Sequence, residues 1–102
     1  MEFIQSKDNK TIKHIIALGQ RKNRQKSGEY IVEGIRSIRD IAAMGAVKTV
    51  VIRESKAQDK NVLDLLTLDS VQSAHTYIVQ DPVFDKIDNT VNGQGVVAIV
   101  VI

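Results

Sequence analysis

The sequence contains no cysteine, which excludes disulfides and thiolate metal sites, and its two histidines, His14 and His75, lie far apart. No apolar run approaches the ~20 residues that span a bilayer, and Met1 to Asp8 lack the long apolar core of a signal peptide. Internal repeats and low-complexity tracts are also missing. A soluble, cytoplasmic protein without a membrane partner or a metal is the expectation. What is present, 102 residues of which 43% are hydrophobic, suffices for one compact domain spanning residues 1–102 and leaves no room for a second. The run from Gly95 to Ile102 stays apolar to the last residue. Complete chains tend to end in something solvated, so a piece of a longer polypeptide is expected.

Charge is distributed unevenly. Residues 1–28 carry seven cations (Lys7, Lys10, Lys13, Arg21, Lys22, Arg24, Lys26) against two acids, and the rest carries seven against ten. The overall +2 therefore conceals +5 at one end and −3 over the remainder. A local positive field attracts phosphate whatever the total charge. The bland account is that charged loops are merely solvated; against it, no acid interrupts residues 9–28. Aromatics are scarce, only Phe3, Tyr30, Tyr77 and Phe84, which disfavours an aromatic stacking platform for single-stranded nucleic acid. Recognition should then rest on phosphates, 2′-hydroxyls and shape.

Periodicity predicts a helix over about 9–19, with Ser6, Asp8 and Asn9 as N-cap candidates, Ile12, Ile15 and Ile16 on one face, and Gly19 at its end. Lys10, Lys13, His14, Ala17 and Arg21 fall on the opposite side and lead into 21–28, polar and acid-free, a predicted surface loop. Tyr30 to Val32 form a short strand. A second helix runs from Gly34 to about Met44, with Ile35, Ile38, Ile41 and Ala42 inward and Gly45 ending it. Val47 to Ile52 make a buried strand, and 53–61 begin a helix that includes Val62, Leu63, Leu65 and Leu66. Thr76 to Val79 form a strand, Asp81-Pro82 opens a short helix through Ile87, and Asn92-Gly93 turns into a last strand from about Gly95. This alternation implies a three-layer α/β/α sandwich.

Catalytic candidates are few. His14 and His75 are expected as exposed surface residues, and Asp81, Asp85 and Asp88 as carboxylates meeting a helix dipole. Gly93-Gln94-Gly95 has a strand after it where a phosphate loop needs a helix, so it is a turn. At Glu33-Gly34 the glycine relieves a tight backbone; the acid either caps or positions Arg24 or Arg36.

Taken together, Ser6-x-x-Asn9-x-x-Ile12-Lys13, Leu18, Arg21-Lys22-x-Arg24, Gly28-x-Tyr30-Ile31-Val32-Glu33-Gly34-x-Arg36, Phe84-x-Lys86-Ile87, Thr90 and Gln94-Gly95-Val96-Val97-Ala98 resemble the N-terminal substrate-binding domain of SpoU/TrmH-type RNA 2′-O-ribose methyltransferases. The match runs nearly end to end, although Ser55 to Ser73 carry little of it. The resemblance implies a mixed-sheet sandwich similar to the kink-turn-binding ribosomal protein fold, and an RNA partner, ribosomal RNA first. It further implies that S-adenosylmethionine binding, catalysis and homodimerisation belong to a C-terminal domain absent from this chain, which by itself holds no cofactor. It leaves open a housekeeping or an antibiotic-resistance role.

The residues expected at the RNA are Lys13, Arg21, Lys22, Arg24 and Lys26 as phosphate contacts. Asn9 either caps the first helix or bonds a ribose or base edge, and Arg36 either joins the RNA surface or pairs with Glu33 or Asp40. Two rival readings are a free-standing RNA-binding protein of the kink-turn-binding type and a protein-interaction domain whose basic segment meets an acidic partner.

Overall fold

The structure, a computed structural model, describes residues 1–88 and 93–101. Its strands are β1 (Glu2–Ile4), β2 (Glu29–Glu33), β3 (Val47–Arg53), β4 (His75–Val79) and β5 (Val96–Val101). They form one five-stranded sheet in the order β1-β4-β3-β5-β2, in which β1, β4 and β3 run parallel and β5 lies antiparallel to both β3 and β2. The central pair, β3 and β5, is rich in β-branched residues, interrupted only by Lys48, Arg53 and Ala98, because both of its faces are covered. Val50, Ile52, Val96, Ala98 and Val100 face one layer and Val51, Val97 and Ile99 the other.

The helices are α1 (Lys10–Ala17), α2 (Arg21–Ser27), α3 (Ile35–Ala42), α4 (Lys60–Leu66), α5 (Asp69–Gln72) and α6 (Asp81–Phe84). On one face α3, α4 and α5 bury Ile35, Ile38, Ala42, Val62, Leu65 and Val71. On the other, α1 and α6 bury Ile12, Ile15, Val83 and Phe84, joined by Leu18 just past α1. The expected three-layer sandwich with a mixed sheet is therefore found.

Several local expectations are corrected. The segment 21–28 is a helix, because Arg, Lys and Gln are good helix formers and Gly28, at φ 71°, supplies a left-handed terminus. Ile16 is not part of the buried stripe of α1; that stripe runs Ile12, Ile15, Leu18 at three-residue spacing, leaving Ile16 51% exposed. Gly19 stands directly after Leu18, the C-cap of α1, at the end expected for it but without a left-handed φ. The helix expected to begin within 53–61 starts only at Lys60, where the Asp59 carboxylate caps the Asn61 N–H at 2.9 Å; before it, Arg53 ends β3 and Glu54–Lys56 make a 3-10 turn. Helix α6 ends at Phe84, where N–H groups of Lys86 and Ile87 bond carbonyls three residues back and tighten the chain into a turn. Strand β1 and helix α5 were not expected; each is too short to show a period. The Asn92 half of the expected turn and Thr90 lie outside the described residues.

Candidate nucleic-acid interface

Asn9 resolves to the capping alternative. Its Oδ1 accepts from the N–H groups of Thr11 at 2.8 Å and Ile12 at 3.4 Å, satisfying two of the donors that a helix start leaves open. From there α1 places Lys10 and Lys13 in solvent. At the other end, the carbonyls that α1 leaves open are taken by α2: Asn23 Nδ2 donates to Ala17 O at 2.9 Å and Arg24 Nη1 to Leu18 O at 3.0 Å. These two bonds set the corner between the helices. Arg24 is half-buried in this anchoring role, whereas Arg21, Lys22 and Lys26 are exposed.

Helix α2 is unusual in what holds it. It has no buried side chain, no N-cap side-chain bond and no acid in its first turn. Arg21 and Lys22 oppose the positive end of the helix dipole, and Lys22 and Lys26 repel at i,i+4, each effect costing a few tenths of a kcal/mol. Polar anchors and Gly28 sustain a helix whose own charges work against it, a cost that phosphate would offset.

His14 is not the free surface residue expected. Its Nε2 lies 2.5 Å from Oε1 of Glu29, whose Oε2 accepts from Lys48 Nζ at 2.6 Å. Glu29 starts β2 and is buried, its side chain 8% exposed. Burial raises its carboxyl pKa, but hydrogen bonds and charge from Lys48 and His14 outweigh that, and the pKa lies below its ordinary value. Sequence reasoning missed Glu29, although an acid directly after twenty acid-free residues was the available signal.

The two glycine motifs meet in space. Gly34, at φ 92°, precedes α3 and bonds Val96 O through its N–H, while Gln94 Oε1 accepts from the Ile35 N–H at 2.7 Å. The Gly93-Gln94-Gly95 segment is thus the N-terminal cap of α3, supplied from 59 residues away. Gly95, at φ 77°, has no room for a Cβ, which would stand 2.6 Å from Lys56 Cγ and 3.2 Å from Arg53 Cβ.

Of the aspartates expected at a helix dipole, Asp81 stands in the first turn of α6, whereas Asp85 and Asp88 lie at or beyond its end. Arg53 Nη2 donates to Asp85 Oδ1 at 2.7 Å, its Nη1 lies 3.6 Å from Asp81 Oδ2, and its guanidinium covers the Phe84 ring at 4.7 Å. Hydrogen bonding from Ser55, with Arg53 beside it, holds the Asp81 carboxyl below its ordinary range. Asp88 is buried beyond the end of α6. Arg36 is exposed on α3, in the layer across the sheet from α1, and enters no ion pair among the described residues, with Asp40 or otherwise. Among the described residues no group of three or more His, Asp or Glu could hold a metal, and no helix is long and apolar enough to cross a membrane.

A mixed-sheet sandwich presenting a cationic helical corner defines the class: an α/β domain with a surface suited to polyanions. The family model of the MRM3-like substrate binding domain matches residues 9–98, and the chain belongs to that family. Among solved structures it is similar to an RNA 2′-O ribose methyltransferase (TM-score 0.78, 22% identity, covering 97% of this chain and 37% of that one). It is also similar to an rRNA methyltransferase from Sinorhizobium meliloti (TM-score 0.74, 25% identity, 99% and 37%) and to the SpoU methyltransferase AviRb from Streptomyces viridochromogenes (TM-score 0.69, 23% identity, 92% and 33%). The chain thus spans little more than a third of the length of these structures. No match was found among curated proteins.

Proposed function

We propose that this chain is the RNA-recognition part of an S-adenosylmethionine-dependent ribosomal RNA 2′-O-ribose methyltransferase. Lys13, Arg21, Lys22 and Lys26 contact phosphates, and Arg24 holds α2 in place while lending charge. Arg36 extends the contact from α3, and Asn9 offers only its amide N–H groups, its oxygen being used in the cap. The observation that carries this reading is α2 itself, a helix without a core-facing side chain that exists to present cations. Family membership and the likeness to methyltransferases almost three times as long support it.

The role is positional. Phosphate contacts fix orientation and register, so that one ribose 2′-hydroxyl is held where a methyl donor can reach it. The methyl donor and the dimer contact are assigned to a further domain.

Filter binding to ribosomal RNA fragments tests the reading, comparing the protein with Arg21→Glu/Lys22→Glu/Lys26→Glu. Acids at Arg21 and Lys22, in the first turn, favour a helix and offset the acid at Lys26 in the last turn, so this variant keeps α2 while reversing its charge. Affinity is expected to fall at least about tenfold; unchanged affinity would remove α2 from the RNA surface.

A further inference from the structure

Among the described residues, the α1 side of the sheet is incompletely covered near its β2 edge. Helices α1 and α6 bring only eight and four residues to that layer, and α2 has no buried side chain with which to extend it. The gap is an open groove of about 550 Å³ walled by Ile16, Tyr30, Ile31 and Ile87, with Arg24, Glu33 and Lys86 as its charged groups. Ile16 is 51% exposed, an aliphatic side chain left bare beside a helix made of cations. Arg24 is tied through Nη1 to Leu18 O at 3.0 Å, so its guanidinium is held in place at the groove.

We propose that this groove seats a single unstacked nucleotide of the bound RNA, its base against the aliphatic wall and the Arg24 plane, its phosphate between Arg24 and Lys86. The inference rests on the RNA-binding reading above and adds to it a preference for an unpaired base. Three features select this occupant. The volume lies in the range of pockets that take small molecules. The groove stays net positive with Glu33 counted, and it continues the basic face of α2, which matches a phosphate and disfavours an apolar protein segment. Unpaired bases are also the part of RNA whose faces and edges side chains can reach, and a guanidinium plane serves for stacking where aromatics are scarce.

Equilibrium titration of the protein with three hairpin RNAs tests this. One carries a single unpaired 2-aminopurine in its stem, the second is fully paired, and the third has an abasic residue at the unpaired position. The first is expected to bind about tenfold more tightly than the other two, with a rise in 2-aminopurine emission as the base leaves its stack. Ile16→Asn, at an exposed position, is expected to abolish that preference without changing the salt dependence of binding, and Lys86→Ala to reduce it. Equal affinity for all three RNAs, or a preference that survives Ile16→Asn, overturns the groove assignment. Loss of the RNA-binding reading itself has a separate signature, namely that Arg21→Glu/Lys22→Glu leaves every affinity unchanged.

Discussion

Glu29 ties the cationic helix α1 to the sheet. It draws His14 of α1 and Lys48 of β3 onto the start of β2, joining three elements through one buried carboxylate. Because its folded-state pKa is lowered, the stability it contributes is fully present above its ordinary value of about 4.5 and is lost as pH falls through the lower folded value. Urea midpoints measured from pH 7 to pH 3 should therefore fall in the acid range, and Glu29→Gln should flatten part of that fall. At pH 7 the same substitution should cost about 1–2 kcal/mol, since both partners are exposed enough to recover water. An acid limb unchanged by Glu29→Gln would show that the pairing does not form. Nothing in composition marked Glu29 as buried; its partners come from positions 14 and 48, and only the sheet brings them together.

At the scale of elements, the strongest lesson comes from α2 and α3. Residues 21–28 have no apolar period, and without one a helix is indistinguishable from a loop by pattern. Its anchors are backbone carbonyls of α1, which no side-chain pattern records. Helix α3 was legible from Ile35, Ile38 and Ala42, but its cap was not, because the capping oxygen comes from Gln94. Replacing that oxygen gives a direct check. Gln94→Ala should cost about 1 kcal/mol, lower the urea midpoint, and speed amide exchange in the first turn of α3. Gln94→Glu, which keeps an oxygen and adds favourable charge at a helix start, should restore both. Equal exchange in the two variants would contradict the cap.

For the whole molecule, the relevant quantity is the field of one end of the chain rather than its net charge of +2. If about four phosphates are neutralised on a single strand, affinity should drop roughly 50-fold between 50 and 200 mM salt. Reversing Arg21, Lys22 and Lys26 should flatten that slope as well as weaken binding. Titration at three or more salt concentrations measures both, and a salt-independent affinity would point to a surface other than α1 and α2.

The sequence by itself determined the layer architecture, the buried central strands and the polarity of charge, because these rest on period and composition, properties local to each segment. It also sufficed for the family, since the spaced motifs survive as a linear pattern. Tertiary structure alone decided that Glu29 is buried, that Gln94 caps a distant helix, that Arg53 takes Asp81 and Asp85, and that Ile16 lines a groove rather than the core. Each of these depends on which atoms lie within about 3–4 Å of one another. Chain separation along the sequence carries no information on that until the sheet has brought its strands into register.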